Sequence, residues 1–260
     1  MDEIIKNLKY GKCNEKFCPT KLNDKDKIIY KNILNIVRNI RNINKNNLYN
    51  WYKRELELIV SFQKLTKDYP SYNYHPIFGL KNHYQLSLIE DSGFDTFQIY
   101  IKYINGKYRM MINLEHLIKI EKTHKNLILN LKEHLNMPRP YQLLPYYQEI
   151  KLKVESSISA STGSAPSGHC FSGLMIGYLI YISQKDFFDN NPYELNRLIC
   201  ISLDLGYHRN MNGIHFIYDN FVSYITFKEI IHVYKYDNNN YFLDDIKKVF
   251  DKLFEAYVNK

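Results

Sequence analysis

Apolar residues recur three and four positions apart along most of this chain, and this helical period limits what it can fold into. The pattern is clearest in one run of branched residues: Ile29, Ile33, Ile36, Val37, Ile40 and Ile43. The pattern returns at Leu56–Leu65, at Leu114–Leu135 and at 241–258. Further helices are predicted over 168–184, 192–206 and 212–234. With only 10 glycines and 8 prolines in 260 residues, such helices can be long. We predict a mainly α chain, with residues 26–260 as a single helical-bundle domain.

Three segments depart from the helical period. Residues 1–25 are polar and weakly patterned, which predicts a mobile basic arm. Residues 68–80 contain two prolines and are predicted to be a loop. In 98–111, apolar and polar residues alternate around Asn105-Gly106, a pair typical of a two-residue turn. This alternation predicts a small hairpin, with continued helix as the alternative.

Charge and hydropathy restrict the classes of partner. The net charge of +8 and a pI of about 9.0 favour anionic partners, including nucleic acid, although a solvated lysine-rich surface explains them equally well. No secretory signal is visible, and the longest nearly apolar run, Phe171–Ile182, is too short to span a membrane. Cys13 and Cys18 lack a second ligand pair, so we expect free thiols rather than a metal site. We expect a soluble protein of the cytoplasm or another intracellular compartment.

The segment Pro166-Ser167-Gly168-His169 lies between a Ser-rich loop and a strongly apolar helix. A helix N-terminus presents N–H groups and the positive end of its dipole, which together bind anions. Ser167 can add a hydroxyl donor, Gly168 allows close approach to the backbone, and His169 can transfer a proton. The alternative is an ordinary helix cap, with Ser167 as N-cap and His169 incidental.

Two cations precede this segment, Lys132 near the end of a helix and Arg139 between two prolines. Prolines on both sides restrict the backbone around Arg139. Rigid placement suits a guanidinium that binds an oxyanion through two hydrogen bonds. The alternative is a positive helix C-terminus favoured by the helix dipole.

A histidine and a carboxylate follow in the segment from Arg209 to Asp219. His215 and Asp219 are four residues apart, and the segment 212–234 is predicted to be helical, so the two side chains are predicted to share a helix face. A carboxylate bonded to one imidazole nitrogen fixes the tautomer and leaves the other nitrogen as base or nucleophile. The apolar neighbours of both residues predict a buried pair.

Together the blocks Lys132-x6-Arg139-Pro140, Pro166-Ser167-Gly168-His169 and Arg209-x5-His215-x3-Asp219 resemble the three-part signature of the type 2 phosphatidic acid phosphatase superfamily. This superfamily includes bacterial class A acid phosphatases, membrane lipid phosphatases and vanadium-dependent haloperoxidases. The blocks occur in the family's order, and the resemblance covers roughly residues 110–235. One departure is His208, which stands where the family usually has a serine before its arginine. His208 is interpreted either as a second phosphate contact or as a surface residue.

The resemblance implies a helical-bundle phosphatase that acts on phosphorylated small molecules through a phosphohistidine and needs no metal or other cofactor. It implies that His215 is the nucleophile, that Asp219 orients it, and that His169 is the general acid and base. The groups that the resemblance assigns to substrate binding are Lys132, Arg139, Ser167, Gly168 and Arg209.

Two other functions stay open at this point. In a vanadium haloperoxidase the same groups would hold vanadate as a cofactor, whereas a phosphatase would bind vanadate as a phosphate mimic. Haloperoxidases of this family are usually much longer than 260 residues, so the length of this chain favours the phosphatase. A degenerate member of the family would bind phosphate or nucleic acid without turnover.

Overall fold

The computed structural model describes residues 4, 7–11, 19–43, 47–68, 94–154, 158–238 and 240–258. These residues form α-helices joined by short turns and contain no β-strand, which confirms the prediction of a mainly helical chain. The helices are α1 (Asp24–Ile43), α2 (Leu48–Asp68), α3 (Asp95–Tyr108), α4 (Leu114–Lys122), α5 (Lys125–Leu135), α6 (Pro140–Leu143), α7 (Gly168–Ser183), α8 (Lys185–Asn190), α9 (Pro192–Met211), α10 (Ile217–Val233) and α11 (Tyr241–Val258). Short 3₁₀ helices cover Leu144–Tyr146 and Ile158–Ser161.

Helices α7 and α10 lie at the centre of the molecule. Both are apolar around most of their circumference, and a helix of that kind is stable only when other elements surround it. One hydrophobic core runs from Ile29 in α1 to Phe250 in α11 and includes the central helices. The termini of α7 and α10 are therefore held firmly by packing on several sides.

Helix α9 crosses α7 at unusually short range because α7 has glycines at the crossing. A side-chain carbon added at Gly173 or Gly177 would overlap Ser202 of α9. This close approach brings the C-terminal end of α9, with Arg209, towards the N-terminal end of α7, with Ser167.

The predicted hairpin at 98–111 is wrong, because this segment forms α3. Phe97, Tyr100, Ile101 and Ile104 are buried along one side of the helix, so the helical period outweighs the alternation. The Asn105-Gly106 pair lies inside the helix. The Asn105 side chain exchanges two hydrogen bonds of 3.1 Å with the backbone of Ile112, which closes the turn after the helix.

The boundaries of other helices also differ from the predicted ones. The predicted helix 114–135 is divided at Thr123-His124 into α4 and α5, and α9 continues to Met211 rather than ending at residue 206. The predicted helix 212–234 begins only at Ile217, so residues 212–216 form a turn. Most of the loop predicted at 68–80 lies outside the described residues.

Part of the predicted N-terminal arm contacts the rest of the protein. Tyr10 donates its backbone N–H to the carbonyl of Asn136 (3.0 Å) and its hydroxyl to the carbonyl of Ala160 (2.9 Å). Gln142 donates to the carbonyl of Tyr10 (3.2 Å). Among the described helices, none combines the length and apolar character that a membrane crossing requires.

Candidate active site

The three sequence blocks meet where several helix ends converge. Burial, and then the charges of four neighbouring side chains, hold the pKa of His215 well below its usual value; the neighbours are Arg139, Lys132, Arg209 and His169. Of the residues assigned to catalysis and binding, these four therefore lie near His215. Most of the assigned residues are buried, whereas Gly168 and His169 are half-buried.

His215 and Asp219 form the predicted pair, but not on one helix face. His215 lies in the turn before α10, and Asp219 is in the first turn of that helix. Asp219 Oδ2 lies 2.9 Å from His215 Nδ1 and accepts the backbone N–H of Phe216, also at 2.9 Å. Ser164 donates its hydroxyl to Asp219 Oδ1 at 3.2 Å. The carboxylate thus reaches back to the imidazole, as a first-turn acidic residue can.

Arg139 determines the tautomer of His215. Its Nη1 lies 2.9 Å from His215 Nε2, and a guanidinium has donors only, so Nε2 must accept. Nδ1 then carries the proton and donates it to Asp219. Burial lowers the pKa of Arg139 to about 10, which leaves it charged at neutral pH. The imidazole therefore presents a lone pair at Nε2, the property that a nucleophile needs.

Arg139 also binds three main-chain carbonyl groups. Its side chain donates to Thr162 (3.0 Å), Gly163 (3.2 Å) and Ile214 (3.0 Å). The side chain is completely buried, and a proline precedes and follows Arg139 in the sequence. The guanidinium thus joins the 162–164 segment to the turn that bears His215.

Lys132 binds the same segment from the last turn of α5. Its Nζ donates to the carbonyls of Gly163 (3.0 Å) and Ser164 (3.2 Å). Gly163 is required here, since a side-chain carbon would come within 2.8 Å of the Lys132 carbonyl oxygen. Residues 162–164 were missed by the motif analysis, although their Ser/Gly-rich composition was visible. They give the two cations their orientation.

Ser167 is the N-cap of α7. Its hydroxyl oxygen accepts the N–H of Cys170 at 3.3 Å, the bond expected of an ordinary cap, and its hydroxyl hydrogen can still be donated. Its backbone N–H donates to the carbonyl of Asp219 at 3.2 Å. Gly168 and His169 begin the helix and are the more accessible part of the site.

Arg209 is buried in the last turn of α9, and its carbonyl accepts the backbone N–H groups of Ile214 (3.1 Å) and His215 (3.3 Å). The preceding His208 is also buried, so the interpretation of His208 as a surface residue is wrong. Sequence reasoning also missed Asn210, whose side chain donates to the carbonyl of His215 at 2.9 Å. An asparagine in an apolar context was the available signal.

The site carries an excess of positive charge. Lys132, Arg139 and Arg209 are all buried, and Asp219 is the carboxylate bonded to His215 in the described part of the chain. Burial raises the pKa of Asp219, an effect opposed by Arg139 and by the Phe216 N–H. Three buried cations beside one carboxylate favour the binding of an anion.

The described residues contain no group of three or more His, Cys, Asp or Glu side chains suited to a metal ion. Cys13 and Cys18 lie outside the described residues. Neither a protein-family model, nor a curated protein, nor a solved structure matches this chain.

Proposed function

We propose that this chain is a phosphatase that hydrolyses phosphomonoesters of small molecules through a phosphohistidine at His215. The observation that supports this most strongly is the imidazole itself. It is kept neutral, its proton is held on Nδ1 by Asp219, and its Nε2 lies 2.9 Å from the buried guanidinium of Arg139. A neutral nucleophile beside an anion-binding site is what attack on a phosphate ester requires.

The chemistry proceeds in two balanced steps. Nε2 of His215 attacks phosphorus, the bond from phosphorus to the ester oxygen breaks, and His169 protonates the departing alcohol. A water molecule then attacks the phosphohistidine and loses a proton to His169, the P–N bond breaks, and inorganic phosphate leaves. Charge on the transferred oxygens is met by Lys132, Arg139 and Arg209 and by N–H groups at the start of α7.

Substrate binding must displace one contact that exists in the free protein. Nη1 of Arg139 occupies the position in front of Nε2 where phosphorus has to come. A phosphoryl oxygen offers Arg139 a charged acceptor in place of the imidazole, so the exchange is favourable. Arg139 would then hold the transferred group while its other bonds stay with the 162–164 segment.

The test is hydrolysis of an aryl phosphate combined with rapid quenching of labelled substrate. We expect acid-labile, base-stable phosphate on His215 in the wild-type protein, and more of it in His169→Ala, because the group that activates water is gone. His215→Ala should lower kcat by several orders of magnitude while phosphate still binds. Label on Ser167, or an active His215→Ala protein, would contradict the proposal.

A second candidate is a module that binds phosphate without turnover. One observation favours it: Lys132 and Arg139 direct several donors at main-chain carbonyls rather than at open space. Small and equal effects of His215→Ala and His169→Ala on phosphate affinity, with no hydrolysis by the wild-type protein, would support the binding module. Halogenation in the presence of vanadate and peroxide would identify a haloperoxidase instead.

A further inference from the structure

Two buried asparagines lie behind His215, and the function proposed above leaves them without a role. Asn210 is in the last turn of α9 and Asn220 is in the first turn of α10; their exposed fractions are 0% and 2%. Asn210 Nδ2 donates to the carbonyls of His215 (2.9 Å) and Phe216 (2.8 Å). Asn220 Nδ2 donates to Asn210 Oδ1 at 2.5 Å. We call this arrangement the amide clamp.

The orientation of each amide follows from its neighbours. The carbonyls of His215 and Phe216 can only accept, so the NH₂ group of Asn210 must face them. The oxygen of Asn210 then faces Asn220, which must offer its own NH₂ group. Asn220 thus acts on His215 only through Asn210. A residue at position 220 that cannot donate would leave the oxygen of Asn210 buried without a hydrogen bond, or would make the amide turn over.

The amide clamp binds the main chain of His215, which the hydrogen bonds of α10 do not include. His215 precedes α10, so its carbonyl lies outside the regular bonding of the helix. Its N–H is bound by the carbonyl of Arg209 and its C=O by the side chain of Asn210. Two consecutive residues at the end of α9 therefore fix the main chain on both sides of His215. The direction in which Nε2 points depends on that main chain.

We propose that Asn210 and Asn220 are positioning residues that aim Nε2 of His215 at the transferred phosphorus. This inference rests on the proposed role of His215 as the nucleophile. Attack on phosphorus requires the nitrogen to lie in line with the bond that breaks, and a displacement of about 1 Å costs about 100-fold in rate. The anion-binding groups lie on other residues, so a loosened clamp lowers turnover more than anion affinity.

The experiment replaces Asn220, which contacts neither His215 nor the anion-binding groups in the described bonds. Asn220→Asp and Asn220→Leu have similar size and both remove the donor, and the leucine adds no charge. We expect both to lower kcat for an aryl phosphate by about 10- to 100-fold, with the inhibition constant of inorganic phosphate changed by less than about threefold. The control is Thr226→Val, which removes a different buried hydrogen-bond donor from α10, the hydroxyl of Thr226, and should keep the wild-type kcat.

Wild-type kcat in Asn220→Leu, or equal losses in kcat and phosphate affinity, would overturn the proposal. Nitrogen NMR of the His215 ring gives a second readout that does not depend on turnover. A loosened clamp lets the ring of His215 move away from Asp219 and Arg139, so the proton should leave Nδ1 for part of the population in Asn220→Leu but not in Thr226→Val. An unchanged tautomer would contradict it. If the wild-type protein hydrolyses no phosphoester, the proposed function fails, while the NMR spectra still decide on the clamp.

Discussion

At the scale of single residues, Arg139 and Asp219 together determine which nitrogen of His215 is reactive. Arg139 requires an acceptor at Nε2, and Asp219 accepts the proton of Nδ1. Neither contact alone would fix the tautomer as firmly, because each leaves one side of the ring open. The two residues are 80 positions apart in the chain, yet both donate to or accept from residues of the turn that bears His215.

Asp219→Asn tests this arrangement. The new amide oxygen would still accept the N–H groups of His215 Nδ1 and Phe216, but the amide carries no negative charge to stabilise the cationic ring that forms when Nε2 attacks phosphorus. We expect kcat to fall by about 10⁴-fold, as happens when the carboxylate that orients a catalytic histidine becomes an amide. Steady-state kinetics with an aryl phosphate measures the effect. Glu121→Gln is the control, because Glu121 is a buried carboxylate bonded to Ser172 outside the site; a similar loss there would refute the interpretation.

His124 makes stability depend on pH. It is only 1% exposed, its ring packs edge-on against Tyr234, and its two ring nitrogens make no hydrogen bond within the described residues. Burial lowers its pKa from 6.5 to about 4. The unfolded chain therefore binds a proton more readily, and the stabilisation present at neutral pH is lost as the pH falls from 6.5 towards 4.

His124→Phe should remove this dependence. Between pH 7 and pH 5 the wild-type protein should lose about 2 kcal/mol more than the variant, as measured by urea unfolding at each pH. The exposed His116→Phe should keep the wild-type slope. If both variants showed the same slope as the wild type, protonation of His124 would not be coupled to unfolding.

At the scale of elements, two glycines in helices have opposite roles. A side-chain carbon at Gly106 in α3 would meet nothing within 4 Å, whereas one at Gly177 would overlap Ser202 of α9. Gly106→Ala should stabilise the protein by about 0.5–1 kcal/mol through helix propensity. Gly177→Ala should destabilise it by about 1–3 kcal/mol through overpacking. Thermal unfolding of both variants measures the contrast, and a stabilised Gly177→Ala would show that the helices can separate at little cost.

The elements also show what could be read from the sequence. The isoleucine run of α1 and the apolar face of α11 determine their helices, because period and propensity agree there. The prediction from Asn105-Gly106 was wrong, because the burial of four apolar residues of α3 outweighed the local turn preference of this pair. The spacing of His215 and Asp219 predicted that the two side chains form a pair. The sequence did not predict that α9 continues to Met211. The turn at 212–216 depends on the side chain of Asn210 and on Gly213, whose φ of +68° favours glycine.

At the scale of the whole molecule, the candidate site is made of segments that the chain brings together from residues 132 to 219. The motifs specified which residues would meet. They could not specify the carbonyl groups of 162–164, because any residue provides a carbonyl and only the fold selects which ones face Lys132 and Arg139. Anion binding should therefore stabilise the entire fold, since it joins α5, α7, α9 and α10.

Inorganic phosphate should raise the stability of the folded protein by about 2.7 kcal/mol when its concentration is one hundred times its Kd. Differential scanning calorimetry at increasing phosphate measures the rise in Tm. Lys132→Met removes a buried cation and should reduce the rise. A chelator should leave it unchanged, whereas a chelator that abolished it would indicate a metal at the site.

The attachment of Tyr10 has a practical consequence for anyone who prepares the protein. Tyr10 is bonded to Asn136, Ala160 and Gln142, which lie on both sides of Arg139 along the chain. A trimmed version beginning at residue 19 would lack these bonds without altering a single motif residue. Loss of activity in such a variant would reflect the missing contacts of Tyr10 and would not argue against the catalytic residues.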